Sequence, residues 1–212
     1  DLPANEFYTL GGKQFSKSDG WFIDVEQFLD TYSKDQLRYA ILSNAPETQD
    51  SEFTWKDFQN RANSDLLGKL GNFVHRTLVF AQLNCSGIVP SRYELSDVDT
   101  RFLERMKQLE QDVSNCFETY RLRRACQLIM ELCQSANVYF DQNKPWALAK
   151  DPALRKRMET IVSLCLEAVL RIGVLVEPIL PDTSEAILKF VNLYDRLEKA
   201  SWNARLTATL EA

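Results

Sequence analysis

Residues 54–85, TWKDFQNRANSDLLGKLGNFVHRTLVFAQLNC, decide the fold class. Trp55, Phe58, Ala62, Leu66, Leu70, Phe73, Thr77 and Phe80 recur at steps of three and four, the period of a helix with one packed stripe. At 1.5 Å per residue the run predicts roughly 45 Å of helix before Gly87 and Pro90 stop it. A second helix is expected from Ser96 or Asp97 toward Tyr120. A third covers 123–140, with Cys126, Ile129, Met130, Cys133 and Val138 inward. The segment DQNKPWALAK interrupts. Asp151 then caps a fourth helix with Pro152 at its first position, and Asp182 starts the last clear one. Helices joined by loops of this size pack antiparallel. The expected fold class is mainly α: an antiparallel helix bundle over 54–212.

Ahead of it, residues 1–53 predict a small mixed α/β segment. Residues 6–10 form a strand that enters a Gly11-Gly12 turn, and a serine-lysine loop follows. Asp24 caps a short helix. Ser33 and Gln36 make a capping box ahead of LRYAILSNA, which Pro46 ends. Residues 51–53 form one more short strand.

Composition narrows the class. With 45% hydrophobic and 26% charged residues the chain forms a core, and a net charge of −5 argues against coating nucleic acid or anionic membrane by bulk charge. The most apolar run, 161–180, carries Glu167, Arg171 and Glu177. Such charges cost roughly 2.5–3.5 kcal/mol each at a membrane centre. It therefore reads as a helix buried on one side, with Glu167 and Arg171 paired at i,i+4. The opening DLPANEFYTL has neither the basic start nor the apolar stretch of a signal peptide. Five cysteines without a C-x-x-C pair fit buried thiols in a reducing cytoplasm, and the single histidine, His75, leaves no metal-spaced set.

Three constellations remain. KQFSKSDG, residues 13–20, places Lys17 between Ser16 and Ser18, which reads either as a solvated turn or as a mobile cation for phosphate charge. Asn72 and Arg76, four apart, project from one helix face and suit either plain solvation or contacts to bases and phosphates. Trp146, held after Pro145, either plugs the bundle end or stacks on an unstacked base, with Asp141 near the same tip. The triplets RLRR (121–124) and RKR (155–157) read as solvated helix faces.

In this order the pieces resemble the methionyl-tRNA synthetase family of class I aminoacyl-tRNA synthetases. QFSKS looks like the family's Lys-Met-Ser-Lys-Ser signature, with Gln14 in place of the first lysine and Phe15 in place of the methionine. DSEFTWKDFQNRANSDLLGKLGN (50–72) is similar to the stretch joining the catalytic body to the anticodon-binding bundle. NFVHR matches Asn-x-x-x-Arg, and KPW carries the Pro-Trp. The resemblance implies an ATP loop of Lys13, Gln14, Phe15, Ser16, Lys17 and Ser18, with Lys17 the catalytic residue. It also implies an anticodon site of Asn72, Arg76 and Trp146, with Asp141 and Pro145 helping to form it. ATP with its magnesium and methionine would be substrates of the whole enzyme, tRNA(Met) its partner, the cytoplasm its location, and the membrane no part of its work. No metal ligand is expected. The His-Ile-Gly-His signature lies upstream in the family, so the chain reads as the C-terminal portion, inactive alone. A stand-alone helical RNA-binding module, a synthetase for another amino acid and a purely structural bundle remain as alternatives.

Overall fold

The structure, a computed structural model, describes residues 4–210; the outermost residues of both predicted segments lie outside that range. Strand β1 (Tyr8–Leu10) turns back into β2 (Lys13–Gln14) through Gly11 and Gly12, whose φ values of 58° and 76° are those of a two-residue hairpin turn. The helices α1 (Val25–Leu29) and α2 (Lys34–Leu42) follow, opened by Asp24 and by the Ser33–Gln36 capping box as expected. They form the crossover to β3 (Ser51–Phe53), which pairs parallel to β1 and gives the sheet order β2-β1-β3. A small aromatic core closes this part: Phe28 and Tyr32 meet Phe58 edge-on at 5.3 and 4.9 Å.

Thr54 caps α3 (Trp55–Arg61), and the helix then runs without a break to Asn84. It is not the uniform α-helix that its apolar period predicts. From Ala62 to Gly71 it widens into a π-helix, with N–H groups reaching back five residues, before α4 (Asn72–Asn84) resumes. A Cβ on Gly68 or Gly71 would stand 3.1 Å from the carbonyl five positions earlier, Asn63 or Leu66, so glycine suits the wider turn.

The remaining helices are α5 (Asp97–Glu118), α6 (Leu122–Asn143), α7 (Pro145–Leu148), α8 (Arg155–Val176), α9 (Pro181–Phe190), α10 (Tyr194–Leu197) and α11 (Trp202–Leu206). The bundle and its α/β lead-in are as predicted, with four local differences. Helix α6 continues through Asp141–Asn143, and KPW opens a short helix rather than a loop. Val138 is 40% exposed, because Ala136, Asn137, Tyr139 and Phe140 take the inward face. Asp151 caps a 3₁₀ turn, Pro152–Leu154, that leads into α8.

Helix α8 is buried nearly all round instead of on one side. Sixteen of its 22 residues are buried, leaving Glu159, Glu167 and Arg171 as partly open positions beyond its first turn. It is the axis of the bundle, with α4, α5, α6 and α9 around it. Glu167 serves two arginines, Arg92 at 2.5 Å and Arg171 at 3.6 Å.

Helix α9 starts at Pro181, and its cap comes from elsewhere. The buried Asp35 of α2 accepts from the Thr183 amide (2.8 Å) and hydroxyl (2.6 Å), with the Asp182 amide at 3.4 Å. Arg38 donates to the carbonyls of Pro178 (2.7 Å) and Ile179 (2.9 Å), and Lys34 pairs with Asp182. This clamp fastens the lead-in to the bundle.

Candidate functional site

Two regions carry the predicted residues. In the first, Ser16 and Trp21 exchange backbone bonds at 2.9 and 2.8 Å, which closes a hairpin whose tip is the turn from Lys17 to Gly20. Gly20, at φ 66°, supplies the left-handed residue. The Ser16 hydroxyl donates to Asp19 (2.9 Å) and lies 3.0 Å from the Ser18 hydroxyl. With the serines so engaged, Lys17 stands exposed at the tip. The Trp21 indole donates to the Leu10 carbonyl (2.8 Å), and Lys13 sits over its ring at 5.5 Å. Gln14 lies on β2, exposed, and Phe15 is also exposed.

The second region is where α4 meets the end of α6. The rod brings Arg76 beside Asp141 and Trp146, 65 and 70 positions later in the chain, and sets Asn72, one turn earlier, against Asn137. Arg76 donates to Asp141 at 2.6 Å, and its guanidinium lies over Phe140, 4.3 Å from the ring centre and 5.9 Å from that of Trp146. Phe140 and Trp146 stack at 5.8 Å with 30° between planes, and Phe80 meets Phe140 edge-on. Lys144 takes a left-handed φ of 46° to end α6 and start α7, with Pro145 buried at the first position, so the turn is stiff. Trp146 is 41% exposed: its inner side packs on Phe140 and the rest is open.

An arginine so held, a carboxylate and a half-open indole form a shelf with one open aromatic face, which has the chemistry to stack a planar ring and bond its polar edge. Because Asp141 is more than half exposed, the ion pair adds little stability, and its effect is to aim the guanidinium.

Two further residues belong here. Phe140 is the platform under both Arg76 and Trp146. Asn137, buried, bonds Asn72 at 3.1 Å. Its signal in the sequence is a lone amide among the apolar inward positions of α6, four before Asp141.

Below the shelf, the fully buried Asp99 accepts from Tyr139 (2.5 Å), Arg157 and Ser96 (2.8 Å). Burial works to raise its pKa, but these bonds outweigh it and hold the carboxyl near 2. Arg157 is thus a structural partner and not the solvated residue that RKR predicts. The five cysteines are buried and unpaired, and burial pushes the thiols of Cys126 and Cys133 up to about 12, which makes them inert.

A concavity of about 900 Å³ lies between α4 and α9, lined by Val74, Leu78, Ile187 and Phe190 among others, and holds none of the predicted site residues. Among the described residues no group of three His, Cys, Asp or Glu side chains is placed to hold a metal, and no helix is long and apolar enough to cross a membrane.

Residues 1–78 match the family described as tRNA synthetases class I (M), and residues 99–211 match the anticodon-binding domain of tRNA ligase. The chain belongs to the class I tRNA synthetases, with their anticodon-binding domain. Its relatives include proteins named methionine–tRNA ligase. It is 49% identical over 203 residues to the methionine–tRNA ligase of Protochlamydia amoebophila, covering 96% of this chain and 29% of that protein. It is 43% identical over 199 residues to that of Pyrococcus horikoshii, covering 94% and 27%. Methionyl-tRNA synthetase of Mycobacterium tuberculosis in its free state superposes with a TM-score of 0.84 at 25% identity, over 96% of this chain and 39% of that one. The form bound to methionyl-adenylate gives 0.88 at 26% identity, over 96% and 40%. The chain spans between 26% and 35% of the length of the curated relatives it matches.

Proposed function

We propose that this chain is the C-terminal portion of a cytoplasmic methionine–tRNA ligase. Residues 1–53 complete its catalytic region, and residues 54–212 bind the anticodon of tRNA(Met). The observation that carries the reading is the meeting of Arg76 and Trp146 at one half-open corner, although 70 residues of sequence separate them, with Asn72 one helical turn away against Asn137.

In the first step the methionine carboxylate attacks the α-phosphate of ATP, a P–O bond breaks and pyrophosphate leaves. Lys17, at the tip of a hairpin whose serines are tied to one another and to Asp19, meets the charge that develops on the departing phosphates. Gln14 cannot supply the first signature lysine's charge, and Lys13 is drawn aside onto Trp21. Magnesium bound with ATP would share the charge, and among the described residues no group of three His, Cys, Asp or Glu side chains is placed to hold that ion. In the second step a ribose hydroxyl at the tRNA 3′ end takes the methionyl group and AMP leaves. Here the bundle's part is to hold the CAU anticodon: Trp146 stacks on a base, and Asn72 and Arg76 make polar contacts.

The test is charging by the complete protein of tRNAs that differ only in the anticodon. CAU should be preferred by roughly 5- to 150-fold over an anticodon with one wrong base, since each wrong base costs on the order of 1–3 kcal/mol. Equal charging of all anticodons would remove the reading. The 212-residue chain alone should show no methionine-dependent ATP–pyrophosphate exchange.

A further inference from the structure

The Asn137 carboxamide sits under the shelf and is fully bonded. Its nitrogen donates to the backbone carbonyls of Lys69 and Cys133, both at 3.0 Å, and its oxygen accepts from Asn72 Nδ2 at 3.1 Å. Carbonyls only accept. Turning this amide by 180° would set its oxygen against two carbonyl oxygens in a buried site, so the backbone fixes its orientation. Asn137 therefore always shows Asn72 an acceptor, and Asn72 has to answer with its NH₂. The Asn72 oxygen is left outward, and among the described residues nothing donates to it.

We infer that Asn137 is a positioning residue that locks the polarity of Asn72, so that this corner selects a base with an exocyclic amino group over one with a carbonyl there. This rests on the anticodon reading above. Cytosine and adenine present an amino donor beside a ring-nitrogen acceptor, and an amide whose oxygen leads and whose remaining N–H follows fits that edge. Uracil and guanine present the reverse order. The π-helix contributes, because the Lys69 carbonyl that anchors Asn137 lies in its last turn.

The experiment compares kcat/KM of the complete ligase for tRNA with CAU against UAU, which changes the first amino base, and against CGU, which changes the second. Asn137→Ala should reduce the preference about tenfold at one of these positions, the size of effect expected for one hydrogen bond to a base. Asn72→Ala should do the same, and the double variant should be no worse than Asn72→Ala alone. Asn72→Asp, which has only acceptors to show, should keep more of the preference than Asn72→Ala even beside Asn137→Ala. If Asn137→Ala is too unstable to assay, Asn137→Ser takes its place with the same loss of preference expected, and a preference left unchanged by both Asn137→Ser and Asn72→Ala overturns the inference. Preferences left unchanged at both positions while overall charging falls, or additive losses in the double variant, overturn the inference and leave the anticodon reading intact. A wild type indifferent to the anticodon removes both.

Discussion

Trp146 and Arg76 are coupled through Phe140, so replacing either disturbs the same shelf. Trp146→Ala and Arg76→Ala in the complete enzyme should each lower kcat/KM for tRNA charging by about 10- to 100-fold, the scale of a lost base stack. Methionine-dependent ATP–pyrophosphate exchange should change less than about twofold. Lys17→Ala should act the other way, cutting exchange by roughly 10²- to 10³-fold, as does removal of one preorganised charge-stabilising group. A Trp146→Ala protein that fails to fold would show that the indole is core. At this scale, Asn72, Arg76 and Trp146 were legible as residue types that suit bases, and the family motif supplied their association. Asn137 and Phe140 were hidden, because a buried amide and a buried ring differ from ordinary core residues only by what they touch. Arg157 misled for a related reason: in a basic triplet nothing marks the one arginine that faces a buried carboxylate.

Among the elements, the start of α5 is the one most sensitive to pH. The folded pKa of Asp99, near 2, lies below the usual carboxylate value of 3.8, so the native state keeps the charge that the unfolded chain loses first. Its stabilisation is complete above about pH 4, is lost as pH falls toward 2, and amounts to at most about 2.5 kcal/mol. Asp99→Asn should cost about 2–3 kcal/mol at pH 7 and flatten the acid limb of the stability curve, as read by urea unfolding at pH 7, 4 and 2.5. Gly173, where α8 and α9 touch, is sensitive to volume rather than to pH. A Cβ there would come within 2.7 Å of Ile187 Cγ2 and 3.3 Å of Leu188 Cδ2. Gly173→Ala gains up to about 1 kcal/mol of helix propensity but forces overpacking worth about 1–3, so a net loss should appear as a lower melting temperature. Caps and helices followed the sequence closely, as at Asp24 and Ser33, because capping is local chemistry. The π-helix did not. A turn reaching back five residues is chosen by packing, and Gly68 and Gly71 hint at it only after the fact.

For the whole molecule, the question is what makes the lead-in and the bundle one body. Arg123 takes a cap from Glu47 (2.7 Å), Tyr39 reaches Asp65 (2.9 Å), and Asp35 with Arg38 grips the turn before α9. These contacts join segments up to about 150 positions apart, which is why no local pattern announced them. Asp35→Ala would leave the start of α9 uncapped and should cost about 1–2 kcal/mol. Unfolding followed by tryptophan fluorescence and by helical circular dichroism should then cease to coincide, because Trp21 and Trp55 report on the lead-in while most of the helix lies in the bundle. The uninterrupted rod from Thr54 to Asn84 carries one more consequence. In an α-helix each residue advances the azimuth by about 100°, and by less in the wider turns of 62–71, so the compass bearing of Asn72 and Arg76 is encoded in a residue count and in where the rod widens. One insertion or deletion between 54 and 72 would leave the rod as helical as before yet swing the pair away from Trp146. Orthologous sequences should therefore tolerate exchanges of identity in this interval and reject gaps.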